Sequence, residues 1–262
     1  MKLSIITCTY NSEKYLQECI DSVIAQDLNV EDYEHIFVDA YSTDNIKMII
    51  EKYMKKYSNV RLIERKPKWV YNAMNEGIKV AQWEYIMCLN SDDFLECDVL
   101  EWYLKFIYDN WKKDLYYAKL NIFDNWVIKY WENGRLLTVK RILFNWFWSN
   151  VLIYHPTVIA KKSTIIEMWL FDENKIIASD FWMWLKMNCE GKNFCFFPKN
   201  ATYYRSRDWS LSSRNVSLWE DEVIYYQKKY LPKYRFYIAR IIDKILVIYV
   251  KIILFIRKSI LF

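Results

Sequence analysis

The stretch Glu84-Tyr85-Ile86-Met87-Cys88-Leu89-Asn90-Ser91-Asp92-Asp93 decides how the chain is organised. Tyr85 to Leu89 is an apolar run of strand length and reads as a short buried strand. It ends abruptly in a polar cluster with two adjacent carboxylates. In an open α/β sheet, ligands bind in the crevice outside the carboxyl ends of the strands. A buried strand that delivers acids at its end is therefore a candidate site. Two carboxylates and an amide oxygen on one turn suit a hard divalent cation, which takes oxygen ligands and shares them with phosphates. A strand running into an Asx-type turn or a helix N-cap accounts for the same residues. The rest of the chain has to decide between these readings.

Upstream, Leu3 to Thr9 reads as a first buried strand and Tyr10-Asn11-Ser12 as a loop, with Ser12 a candidate N-cap. A helix is predicted from Glu13 to about Ala25, because Leu16, Cys19, Ile20, Val23 and Ile24 recur at helical spacing. Tyr33 to Val38 is a second strand ending at Asp39, and Ala40 to Asp44 is a polar turn into a helix reaching about Tyr57. Val60 to Glu64 is a third strand and Val70 to Val80 a helix. The order β-α-β-α-β-α-β argues for a parallel sheet covered by helices on both faces. No dinucleotide glycine fingerprint or P-loop follows the first strand, so phosphates are not cradled on glycine-rich backbone there. A metal bridge is the substitute that the carboxylates offer.

Downstream the pattern loosens. Asp98 to Tyr108 reads as a helix, Leu115 to Lys129 as strands, Asn133-Gly134 as a hairpin turn, and residues 151–160 as another strand. Ser179-Asp180 precedes an apolar helical stretch, Phe181 to Met187, and either residue is a candidate cap for it. The whole chain has 262 residues, 53% hydrophobic, with a net charge of +5. That fits one large domain with additions, and a mild basic balance suits an anionic ligand or an anionic membrane face. No basic block has the spacing of a nucleic-acid module, so no nucleic-acid partner is expected. Six scattered cysteines without a CxxC pair, and only two histidines, His35 and His155, argue against structural zinc and for reduced thiols.

Taken in order, the motifs resemble the family 2 inverting glycosyltransferases of GT-A fold, of the kind that builds bacterial surface polysaccharides. The matching pieces are Ser4 to Asn11, Val38 to Asp44, Val70 to Ile78, Leu89 to Asp93, His155-Pro156-Thr157, Phe171-Asp172-Glu173 and Ile177 to Asp180. The resemblance implies a GT-A, Rossmann-like α/β fold: a mixed, mainly parallel sheet flanked by helices. Residues 1–95 would form the nucleotide-sugar-binding half, and 96–215 the acceptor-binding and catalytic-base half. Thr9 and Tyr10 would line the nucleotide pocket, Asp39 would bond the base and Asp44 would lie near it. Asn90-Ser91-Asp92 stands at the DXD position, where Asn90 keeps an oxygen but loses a charge. Asp92, with Asp93 beside it, would hold Mg²⁺ or Mn²⁺. Asp180 matches the catalytic base and His155 an acceptor contact. Arg205 and Arg207, with Ser210, would close over the diphosphate. The implied reaction is metal-dependent transfer of a hexosyl-type sugar, from a UDP-sugar in the first instance, to a hydroxyl of a saccharide or polyprenyl-linked acceptor. The developing diphosphate charge needs a cation, and the acceptor hydroxyl needs a carboxylate base. A single displacement inverts the sugar. Read from the residues alone, Asp39 is also a strand-end turn residue, Asp180 a helix cap, and His155 a ring packed before Pro156.

The chain departs from that family in one systematic way. It has 3 glycines and 13 tryptophans, whereas glycine ordinarily makes up about 7% of a chain. Trp69, Trp83, Trp169 and Trp209 stand where the family has glycine, whose use is positive φ or close backbone approach. One hypothesis accounts for all four: the source organism decodes UGA as glycine, and the sequence was translated with UGA as tryptophan. If the tryptophans are genuine, a catalytically degenerate sugar- or nucleotide-binding scaffold becomes the competing reading. A nucleotidyltransferase is a weaker competitor, since it wants a glycine- and basic-rich loop after the first strand.

Residues 216–262 are expected to be a helical tail. From Arg235 to Phe262 the tail is apolar, with Arg240, Asp243, Lys244, Lys251, Arg257 and Lys258 gathered on one side of a helical wheel within roughly 140°. No run there is long enough and free enough of charge to span a bilayer. An interfacial helix on the anionic cytoplasmic leaflet fits, as does an amphipathic helix packed on the protein's own core. The first option makes the protein cytoplasmic and peripheral on the inner membrane face.

Overall fold

The computed structural model describes residues 2–66, 69–124, 127–130, 153–205 and 215–230, with Lys233 and Tyr237. The Asn133-Gly134 turn, Arg207, Trp209, Ser210 and the tail from 238 lie outside the described residues.

The first half follows the pattern expected of it. Strands β1 (Leu3–Thr9), β2 (Tyr33–Asp39), β3 (Val60–Glu64) and β4 (Tyr85–Cys88) alternate with helices α1 (Glu13–Ile24), α2 (Ile46–Met54) and α3 (Val70–Val80). Next come β5 (Phe94–Leu95), α4 (Val99–Asp109), β6 (Leu115–Asp124), β7 (Val127–Tyr130) and β8 (Ile159–Lys161). Helices α5 (Lys162–Glu167) and α6 (Ser179–Cys189), strand β9 (Phe194–Arg205) and helix α7 (Val216–Tyr230) complete the described elements. The sheet order is β3-β2-β1-β4-β8-β6-β9-β5, with β7 beside β6. β1 pairs in parallel with β2 and β4, and β2 with β3. β4–β8 and β6–β8 are antiparallel, while β6–β9 is parallel. The sheet is therefore mixed: the first-half strands pair in parallel, and the second half adds antiparallel β8 and the parallel pair β6–β9.

Register places the site. Thr9 lies opposite Asp39, and Ile6 opposite Cys88. The carboxyl ends of β1, β2 and β4 therefore open on one edge. Helices hold both faces. On one, Tyr71, Met74 and Ile78 of α3 pack with Ile6, Ile36 and Val38. On the other, Leu100, Tyr103 and Ile107 of α4 pack with Leu3, Ile5 and Met87. Each such side chain contributes about 1.5–3 kcal/mol by leaving water. The approach of α3 to the sheet requires Gly77, because a Cβ there would sit 2.4 Å from Ile6 Cγ2.

Three expectations change. Residues 151–160 were expected to form one strand. Instead His155–Thr157 is a 3₁₀ turn and, among the described residues of that stretch, Ile159–Lys161 joins the sheet, since Pro156 cannot donate to a ladder. Ser12 holds the N-cap position of α1 as expected but makes no side-chain cap bond; the Glu13 N–H bonds Asp44 Oδ2 instead, at 3.0 Å. Neither Ser179 nor Asp180 is the cap of α6. Ala178 takes that position, and Asp180 sits in the first turn.

Two positions bear on the tryptophans. Helix α5 ends in a Schellman arrangement: Trp169 N–H bonds Ile166 O at 2.9 Å and Leu170 N–H bonds Ile165 O at 3.0 Å. Trp169, at the position after the cap, and Leu170 are both left-handed, with φ of +71° and +64°, and Trp169 is 82% exposed. Glycine is the residue this position favours. Trp69, by contrast, is extended at φ −149° and unstrained. Left-handed geometry costs a side-chain-bearing residue about 1–2 kcal/mol. Trp169→Gly is accordingly expected to stabilise the protein by about 1 kcal/mol and to raise Tm by about 2–4 °C in a thermal melt. Peptide mass spectrometry of the native protein addresses the decoding hypothesis directly, and tryptophan at position 169 would sink it.

Candidate active site

At the ends of β1 and β2, Asp39 is 2% exposed. Its Oδ1 accepts Thr9 Oγ1 at 2.8 Å and Ser42 Oγ at 2.6 Å, and its Oδ2 accepts the Ser42 N–H at 2.9 Å. A carboxylate offers about four lone-pair sites, so one is left for a ligand N–H. Asn11 ties the two loops together: its Oδ1 accepts the Thr43 N–H at 2.9 Å and its N–H bonds Ser42 Oγ at 3.0 Å. Asn11 and Tyr41 have φ of 46° and 55°, and such held strain clusters at functional loops. Tyr10 and Tyr41, close in the chain to this pair, are 66% and 56% exposed. Asp44 caps two helices, taking the Glu13 N–H of α1 on Oδ2 and the Ile46 N–H of α2 on Oδ1. It ties the starts of the two helices together.

The turn after β4 separates its two acids. Asn90, Ser91 and Asp92 line a cleft of about 580 Å³. Asp93 turns inward and is 1% exposed. It accepts Asn90 Nδ2 at 2.8 Å and the Arg205 N–H at 2.9 Å. Burial pushes its carboxyl up to about 7 against the pull of those two bonds. Arg205, 9% exposed, donates Nε to Asp92 O at 3.0 Å and pairs with Glu18 of α1. Its guanidinium also stacks 4.5 Å from the Tyr15 ring. It braces the turn that carries Asp92.

Asp180 and His155 line the same cleft. Tyr71 of α3 presents its hydroxyl to Asp180 Oδ1 at 3.0 Å and to Ile177 O. Burial, then the Asp180 charge, hold the Tyr71 phenol well above its ordinary range, so it stays a donor. Asp180 itself stands in the first turn of α6. His155 sits near Trp184 and Phe171, with ring centroids 6.3 and 5.8 Å away. Among the described residues neither of its buried ring nitrogens has a partner. Burial lowers its pKa, and Asp180 partly opposes that. A neutral imidazole with two unmet nitrogens is suited to a ligand hydroxyl.

The cleft thus gathers Asn90, Asp92, His155 and Asp180. Thr9 and Asp39 form a separate buried pair at the same sheet edge. Asp93, Asp44 and Arg205 also make internal bonds, and Arg207 lies outside the described residues. Reading the sequence missed Tyr71. It also missed the clamp in which Asn72 and Asn75 donate to Glu173 at 2.7 and 2.9 Å. The Asn72-x-x-Asn75 spacing on one helical face was the available signal. Among the described residues no group of three His, Cys, Asp or Glu side chains could hold a metal by itself. The donor set fits a cation that completes its shell with phosphate oxygens: Asp92 supplies a carboxylate, and Asn90, with Nδ2 committed to Asp93, keeps its amide oxygen.

A family model described as Glycosyl transferase family 2 matches residues 4–169. The poly(ribitol-phosphate) beta-glucosyltransferase of Bacillus spizizenii is 43% identical over 110 residues, covering 39% of this chain and 17% of that protein. The dolichyl N-acetyl-alpha-D-glucosaminyl phosphate 3-beta-D-2,3-diacetamido-2,3-dideoxy-beta-D-glucuronosyltransferase of Methanococcus voltae is 30% identical over 223 residues, covering 78% of this chain and 67% of that protein. The crystal structure of S. aureus TarS 1-349 in complex with UDP superposes with a TM-score of 0.64 at 25% identity, covering 79% of this chain and 61% of that one. The chain matches less than a fifth of the length of the Bacillus relative.

Proposed function

The chain belongs to glycosyl transferase family 2, and from that premise we propose that it moves a sugar from a nucleotide sugar, a UDP-sugar first, to a hydroxyl of a saccharide or lipid-linked saccharide, with inversion. The observation that carries this reading is the shared cleft, which sets Asp180 in the same cavity as Asn90, Ser91 and Asp92. Asp180 acts as the base for the acceptor hydroxyl, and His155 orients that hydroxyl through an unpaired ring nitrogen. Asp39 accepts a base N–H and Tyr10 lies against the nucleoside. Asp92 and the Asn90 oxygen would hold Mg²⁺ or Mn²⁺, which when bound neutralises the leaving diphosphate. Residues 1–95 carry the donor side and 96–215 the acceptor side. UDP bound by the S. aureus neighbour favours a uridine donor. The dolichyl N-acetyl-alpha-D-glucosaminyl phosphate in the name of the Methanococcus relative favours a lipid-linked acceptor. No helix among the described residues is long and apolar enough to cross a membrane. The charge pattern of residues 235–262 supports a peripheral place on the inner face of the cell membrane.

The test is one assay. The chain, with anionic vesicles present, is screened against UDP- and GDP-sugars with and without Mn²⁺. Metal-dependent release of nucleoside diphosphate, and sedimentation with the vesicles, are expected. No nucleotide binding at all would favour the scaffold reading, and a chain left in the supernatant would remove the membrane from it.

A further inference from the structure

We propose that Glu222, on helix α7, is a positioning residue for Asp180. This rests on the assignment of Asp180 as the base. Glu222 is 5% exposed. Its carboxylate accepts three consecutive backbone N–H groups. Ile176 N bonds Oε1 at 2.9 Å, while Ile177 N and Ala178 N bond Oε2 at 3.0 and 2.9 Å. Successive amides converging on one point form an anion nest, and here the anion is a side chain of the protein itself. Ala178 is the N-cap of α6, two residues before Asp180.

The peptide of Ile177 is gripped on both sides. Its N–H goes to Glu222, and its carbonyl takes the hydroxyl of Tyr71, the same hydroxyl that faces Asp180 Oδ1. One turn beyond Glu222, Tyr226 donates to Asp172 Oδ2 at 2.8 Å, and its ring lies 5.7 Å from that of Trp182. Helix α7 therefore holds both ends of the segment from Asp172 to Ala178, and with it the backbone that aims Asp180. A carboxylate is the group this place requires. It accepts from three donors at once, whereas a glutamine amide would turn an N–H₂ toward an N–H.

The test compares Glu222→Gln, Glu222→Asp and Asp180→Asn in the full chain. Hydrogen–deuterium exchange follows the amides of residues 172–182, while kcat, donor KM and UDP affinity are measured in parallel. Glu222→Gln is expected to speed exchange at 176–178 at least tenfold or so, through local opening. It should lower kcat by roughly 10–100-fold, the scale of a small misplacement of a catalytic group, with donor KM and UDP affinity held within about twofold. Glu222→Asp, which keeps the charge, should recover part of kcat. A wild-type kcat in Glu222→Gln beside an inactive Asp180→Asn would overturn the inference and leave the base in place. Parallel losses of kcat and UDP affinity would also overturn it, making Glu222 a packing residue only. Wild-type turnover in Asp180→Asn would instead remove the base assignment, and the inference with it.

Discussion

Asp180→Asn is expected to lower kcat by about 10²–10⁴-fold, the usual contribution of a general base, while UDP binds as in the parent. That loss corresponds to roughly 2.7–5.4 kcal/mol of transition-state stabilisation at about 1.36 kcal/mol per decade. The substitution is nearly isosteric, so the Tyr71 hydroxyl, 3.0 Å from Oδ1 in the parent, still meets an acceptor. What disappears is the ability to take a proton. Steady-state kinetics and calorimetric UDP titration separate the two effects. A kcat within a few-fold of the parent would move the role of base to another group in the cleft. His155 is the alternative there, since burial keeps its imidazole neutral and able to accept.

The parts of this architecture that were legible in the sequence are those with local causes. The run Tyr85 to Cys88 is apolar because both faces of β4 are covered, and it is buried throughout. α3 shows helical spacing because one side of it packs on the sheet, and Gly77 marks where it packs closest. Elements with distant causes were not legible. β9 carries aromatic residues and a proline, and its pairing with β6 skips Pro198 through a register shift. Nothing within twenty residues of Glu222 announces that its partners are the amides of Ile176 to Ala178, some 45 positions away. Adjacent identical acids were the hardest case. Asp92 and Asp93 carry the same local signal, and only the fold turns one toward the cleft and the other inward.

That division yields the second large effect. Asp92→Asn is expected to lower kcat/KM by about 10²–10³-fold and to abolish stimulation by Mn²⁺, because charge stabilisation by a bound metal contributes several kcal/mol in the transition state. Asp93→Asn is expected to act on the fold. Its carboxylate accepts from two donors, Asn90 Nδ2 and the Arg205 N–H. An amide offers one oxygen, and its own N–H₂ then confronts a donor. A buried polar group left unpaired costs about 1–3 kcal/mol, which for a chain of this size lowers Tm by several degrees. Relief from burying a charge offsets part of that cost, since the Asp93 carboxyl already lies at about 7. The signatures are therefore opposite. Asp92→Asn loses metal response, and Asp93→Asn loses melting temperature while its remaining activity still responds to Mn²⁺. Thermal melts and Mn²⁺ titrations of the two variants side by side decide it. An Asp93→Asn protein that melts like the parent but ignores Mn²⁺ would make Asp93 a metal ligand after all.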